Sequence, residues 1–240
     1  MGTRLGVAAV ALCALLAPSA ATPVFDPGGF TVDFRGAGET AVTGDEMLPN
    51  GDMETLDEAG RLARWETDSY VWLPVSDPAA QTRMLARIRP LMVYESSEVS
   101  PRSGVRGMRL AMPLSAYLPT DPAGHEFCAM YHQAVELPSL SAPTKYVLRF
   151  HYRGWSAADV PNSRPYARLT FYDEDGQTTR VYAQSIVKAT DEWRLGELEA
   201  VAPPATRRLD VRLALTGPGE VFYDNVSLRL SAIQEQGPTV

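Results

Sequence analysis

An all-β sandwich of two antiparallel sheets is the fold class this sequence predicts, on three observations. Short runs with alternating apolar and polar residues recur from Tyr70 to Leu230. Turn residues separate them, as at Asp175-Gly176 and Gly217-Pro218-Gly219. After residue 21 no long segment keeps a helical period, and only Glu54–Arg64 reads as a short helix. Strands that are apolar on one side only must bury that side against a second layer, and many short strands of this kind make a sandwich.

Taken in order, the first strand is expected at Tyr70–Val75. Val105–Met112 follows, with Met108, Leu110 and Met112 inward. Phe127–Leu137 alternates well, and Lys145–Arg153 best of all, with Tyr146, Leu148, Phe150 and Tyr152 on one face and Val147, Arg149, His151 and Arg153 on the other. Ala167–Tyr172 and Thr178–Ile186 flank Asp175-Gly176 and should form a hairpin. Leu209–Leu215 leads through a glycine-proline turn into Glu220–Leu230, which reads EVFYDNVSLRL. Strict alternation puts Asp224 on one face with Phe222, Val226, Leu228 and Leu230. An acid there needs a partner, because an unpaired buried charge is costly. Trp65 and Trp193 fit core positions, and Trp72 fits either face.

Of the 240 residues 45% are hydrophobic and 21% charged, enough to build one large core at 47–230 without repeat or linker. Residues 1–21 read as an export signal: Arg4, the apolar run Leu5–Ala17, then small residues to a cleavage point after Ala21. That run is shorter than the roughly 20 residues of a spanning helix, so no membrane span is expected in the mature chain. Residues 22–46 read as a leader or edge strand, with Phe30, Val32 and Phe34 alternating, and 231–240 as a tail. Cleavage removes one charged residue, Arg4, and moves the formal charge from -7 to -8. Such an acidic surface speaks against nucleic acid as a partner. Cleavage also takes Cys13 and leaves Cys128 without a disulfide partner. The exported domain would then rely on its core or on a metal ion.

The pieces LPNGDME (Leu48–Glu54), SGVRGMRLAM, QAVELP with YVLRFHYRG, ARLTFYDEDG, Trp193 and the closing VFYDNVSL stand in an order and spacing that resemble the family 4/9 type of carbohydrate-binding module. The resemblance covers about Leu48 to Leu230. It implies a jelly-roll sandwich of galactose-binding-like fold and a structural Ca2+ ion held by Glu54 and Asp224, with oxygen from the Asp52 region. Calcium, a hard cation, takes about 6 to 8 oxygen ligands and would pair with Asp224.

Chemistry of other kinds lacks its residues. His125, His132 and His151 come without a nucleophile elbow, and no zinc signature is present. Asp173, Glu174 and Asp175 crowd onto the expected hairpin tip, where acids usually face water. A sugar site needs a flat aromatic and fixed polar groups. Arg149, His151, Trp155 on the following loop, Tyr172, Tyr182 and Gln184 are the candidates for one wall of a concave sheet, against the plainer reading of cross-strand pairing on a solvated face. The expected function is a secreted, non-catalytic module that recognises a polysaccharide or glycan, possessing no catalytic domain and working beside a separately encoded glycoside hydrolase. The alternatives are a structural or adhesion sandwich without sugar binding, or an accessory part of a glycosyl hydrolase system.

Overall fold

The computed structural model describes residues 41–98, 102–118, 120–157, 159–160, 163–185 and 190–231, with the side chains of 183–185 and 190 outside the description. The export signal with Cys13, and the segment Phe30–Phe34, lie outside the described residues. In chain order the elements are β1 (Val42–Thr43), β2 (Glu66–Trp72), α1 (Pro78–Ile88), β3 (Val93–Ser97), β4 (Gly107–Met112), β5 (Glu126–Glu136), β6 (Thr144–Ser156), β7 (Arg164–Tyr172), β8 (Thr178–Ser185), β9 (Thr190–Ala202), β10 (Arg208–Thr216) and β11 (Gly219–Ser231). They form two sheets, β3-β4-β11-β6-β9 with β1 beside β11, and β2-β5-β10-β7-β8. Every pairing is antiparallel. From β5 onward, apart from the β7-β8 hairpin within one sheet, the chain passes back and forth between the sheets, which is the jelly-roll form of sandwich.

Alternation decides what the sheets bury. Tyr146, Leu148, Phe150 and Tyr152 of β6 face Phe127, Leu169, Phe171, Leu209, Val211 and Leu213 of the other layer in one continuous core. Tyr223 of β11 is fully buried and its hydroxyl donates to Ala214 O at 2.8 Å, so a polar tip crosses the core to the facing sheet's backbone. β7 and β8 pair as the expected hairpin, and the turn is held by Asp173, whose Oδ1 accepts from Asp175 N and Gln177 N.

Four expectations are corrected. Residues 54–64 form turns closed by the bridge Leu56↔Leu62 instead of a helix. The helix lies at α1, where Asp77 caps Ala80 N at 2.8 Å, Pro78 opens the first turn, and Met84 and Ile88 are buried one turn apart. Trp155 is the penultimate residue of β6 and not on a loop, while Trp193 lies on β9 against Arg153 instead of in the core. The fourth concerns EVFYDNVSLRL. Asn225 takes a left-handed backbone (φ 48) and the pairing with β6 shifts between Asp224 and Ser227. This bulge inverts the alternation midway. Val221 and Tyr223 point inward before it, Val226 and Leu228 after it, and Asp224 sits on the outer side with Phe222.

Candidate functional site

Asp224 is nevertheless fully buried, because the loop 102–106 covers it. Its Oδ2 accepts from Arg102 N (2.8 Å) and Ser103 N (3.0 Å), and its Oδ1 from Asn225 N (2.7 Å). Glu54 takes the rest of the same loop, with Oε1 accepting from Val105 N (2.7 Å) and Arg106 N (3.0 Å). Burial pushes the Asp224 carboxyl above the usual carboxylate range despite these amides, and the nearby Glu54 charge adds to the push. A buried acid beside a second carboxylate is a place where a cation would be welcome, and Glu54 Oε2 accepts no hydrogen bond among the described residues. Asp52 is not part of this pair. It is exposed, its Oδ1 accepts only from Glu54 N at 3.5 Å, and no group of three or more His, Cys, Asp or Glu side chains is gathered among the described residues.

The six sugar candidates divide between the sheets. Arg149, His151 and Trp155 share the outer side of β6. Tyr172 lies on the outer side of β7, in the other sheet. Tyr182, on β8, turns inward, packs on Phe171 at 6.0 Å and donates to Val201 O. Gln184 sits opposite Ala167, and its side chain is outside the description. No single face therefore carries all six.

The two outer faces differ in kind. That of the β6 sheet is laced by cross-strand ion pairs: Arg109 with Glu95 and Glu220, Arg149 with Glu197 at 2.7 Å, Lys145 with Glu199 at 2.5 Å. This is the pattern of a solvated sheet. Its exception is an aromatic patch, where Arg153 stacks over Phe222 (4.7 Å) and Trp193 (5.4 Å), with Trp155 48% exposed alongside.

The outer face of the β5 sheet holds buried side chains, among them Glu126, Tyr166, Thr170 and Asp210. Cross-strand rows run Trp72–Glu126, Tyr70–Cys128–Thr216–Arg164, Met130–Ala214–Tyr166, Glu66–His132–Arg212–Arg168 and Asp210–Thr170. Cys128, Met130, Tyr166 and Ala214 form a small buried cluster of their own with Tyr70 packed on it. Burial pushes the Cys128 thiol up to about 12, which makes it inert as a nucleophile. Beside the cluster lies a polar network. Asp210 is 5% exposed, with His132 Nδ1 at 3.4 Å from Oδ1 and Arg212 Nε donating to Oδ2 at 2.6 Å. Burial would raise the Asp210 carboxyl, yet these two partners hold it below the ordinary range, and the Asp210 bond raises His132 in turn. Arg212 also reaches Tyr172 OH at 3.5 Å, Arg208 stacks on the Tyr172 ring at 4.5 Å, and Trp72 is half-buried at the β2 edge. A sheet face that only meets water has no reason to hold an aspartate, a threonine and two tyrosines this deeply.

His132, Asp210, Arg212 and Arg168 were absent from the expected site although β5, β7 and β10 were all expected strands. Their types and parity were visible; what places His132, Arg212 and Arg168 in one row, with Asp210 in the next row of that face, is the register of three strands far apart in sequence.

No protein-family profile matches this sequence, and no curated protein matches it. Among solved structures the chain is similar to the enzymatically active domain of bacteriophage CBA120 tailspike protein 4, with 13% identity, TM-score 0.51, and 77% of this chain matched to 21% of that one. It is also similar to TmCBM61, solved in complex with β-1,4-galactotriose, at 16% identity and TM-score 0.45, covering 78% of this chain and all of that one. A third is the CBM22-1 xylan-binding domain of Xyn10C from Paenibacillus barcinonensis, at 9% identity and TM-score 0.44, covering 82% of this chain and 99% of that one. The chain thus spans about a fifth of the tailspike chain it matches, and what it shares at this level of identity is the β-sandwich fold.

Proposed function

We propose that the chain is an exported, non-catalytic glycan-binding module whose ligand lies on the outer face of the β2-β5-β10-β7-β8 sheet. One observation carries the reading: on this face the buried Asp210 is held by His132 and Arg212, Arg212 reaches Tyr172, and Trp72 lies further along the same face, six residues from His132 in the β2-β5 pairing. Fixed donors and acceptors beside flat rings are what sugar recognition requires, and partners already locked by one another lose little freedom on binding. Of the Asp173, Glu174 and Asp175 acids, Asp173 is engaged by the turn's own amides, which supports binding over hydrolysis. The leader at 1–21 supports export, and a separately encoded glycoside hydrolase remains the natural associate of such a module. Glu54 and Asp224, with backbone carbonyl oxygens, would hold the structural calcium, whose role there is to neutralise the buried pair. Affinity electrophoresis across plant, algal and bacterial polysaccharides tests the function. Retardation that Trp72→Ala abolishes is expected; no retardation by any of them would remove the proposal.

The exposed indole of Trp155 favours a second reading, in which the aromatic patch on the β6 sheet is the sugar platform. Trp155→Ala separates the two.

A further inference from the structure

Between the start of β2 and the end of β3 a groove of about 890 Å³ opens, reaching Glu66 and His132 at the border of the outer face of the β5 sheet. Trp65, Tyr94, Tyr131 and Gln133 line it, with Arg61 and Arg64 on its rim. Its size is that of a small-ligand site. Two polar atoms in its walls lack hydrogen-bond partners. Gln133 is 4% exposed and donates through Nε2 to Pro49 O at 3.2 Å, while its Oε1 accepts nothing; Ser96 Oγ, on β3, is likewise unsatisfied. Buried polar groups are normally paired, so a groove that keeps two unpaired ones awaits a donor from outside.

The charges at the groove are not equivalent. Asp57 is bound by Arg61 at 2.8 Å, Glu95 by Arg109, and Glu66 faces His132 at 3.8 Å. Arg64 has no carboxylate partner among the described residues. It also holds a left-handed backbone (φ 71), a conformation a non-glycine residue adopts at a cost, and which turns the chain sharply just before β2. A guanidinium presented this way matches a carboxylate. None of the large apolar side chains exposed on the described surface lines the groove, so it offers a peptide no anchor.

We propose that this groove is a second saccharide subsite that takes a sugar unit carrying a carboxylate, with Arg64 on the carboxylate and Gln133 and Ser96 bonding its hydroxyls. The proposal rests on the glycan-binding reading above. Titration calorimetry with oligogalacturonate or oligoglucuronate, and with the same chains after reduction of their carboxyl groups, tests it on the native protein and on Arg64→Ala. The native protein should favour one of the acidic chains over its reduced form by about tenfold or more, which is ~1.4 kcal/mol. Arg64→Ala should remove that preference, keep affinity for the reduced chain, and melt no lower than the native protein. Equal affinity for acidic and reduced chains, or a preference that survives Arg64→Ala, overturns this subsite alone. Binding of neither form overturns the subsite, and the glycan reading falls with it only where affinity electrophoresis also shows no retardation by any polysaccharide.

Discussion

Glu54 and Asp224 grip the two halves of one loop, Glu54 through the amides of Val105 and Arg106 and Asp224 through those of Arg102 and Ser103. The start of the domain and its last strand are thereby joined across 170 positions of sequence by hydrogen bonds to a third segment. This arrangement leaves an excess of negative charge under the loop. A bound cation should therefore raise the melting temperature, and a chelator should lower it. Asp224→Asn keeps an acceptor for the loop amides and removes the charge, so it should abolish the calcium-dependent shift. An identical shift in native protein and Asp224→Asn would show that the ion acts elsewhere. Without the ion, the raised Asp224 pKa has a definite sign: stability should increase as pH falls from the folded pKa toward the ordinary 3.8, because the folded state then binds the extra proton.

Asn50 should prove the most sensitive polar residue of the Leu48–Glu54 segment. Its Nδ2 donates to Thr55 O and Ala63 O, its Oδ1 accepts from Thr55 N, its carbonyl accepts from Trp65 Nε1, and its backbone is left-handed (φ 55). Asn50→Ala loses three side-chain bonds and strains the backbone, a destabilisation of about 2–4 kcal/mol. Asn50→Gly relieves the strain and should recover about 1 kcal/mol of it in urea unfolding. Recovery of the whole loss by glycine would mean that the side-chain bonds contribute nothing.

Gly51 should admit no side chain. A Cβ there would lie 2.0 Å from Val226 O, inside the segment where Val226 N donates to Gly51 O at 2.7 Å. Gly51→Ala should cost more than about 3 kcal/mol, since backbone and not a flexible side chain must give way. A melting temperature within a degree or two of native would contradict this packing.

The His132–Asp210 pair should make stability depend on pH at both ends. The raised His132 pKa contributes stability that is fully present below the ordinary 6.5 and is lost as pH rises through the folded value. The lowered Asp210 pKa contributes stability present above 3.8 and lost as pH falls through its folded value. His132→Asn should flatten the fall of melting temperature between pH 6 and 8, read in a thermal series at constant salt. An unchanged slope would place the titrating group elsewhere.

For sugar binding, Trp72→Ala should weaken affinity about tenfold or more, whereas Trp155→Ala should leave it within about twofold. The reverse result would move the site to the outer face of the β6 sheet.

The strands were readable because alternation is a local property: β5, β6, β7, β8, β10 and β11 lie within a few residues of their expected bounds. β3 and β9 were not, since β9 carries a glycine at Gly196 and acids at alternate positions, and its apolar side is small alanines and Leu198. The helix α1 escaped notice because its apolar stripe is short, although Asp77-Pro78 marks its start.

By itself the sequence determined the layer class and the inward residues of β4, β6 and β10. Only the tertiary structure decided the direction of Asp224, because one left-handed residue, Asn225, reverses a strand's parity and no residue count reveals it. Only the tertiary structure separated Trp155 and His151 from Tyr172, and assembled His132, Asp210 and Arg212, because strand order and register are set by packing between segments distant in the chain.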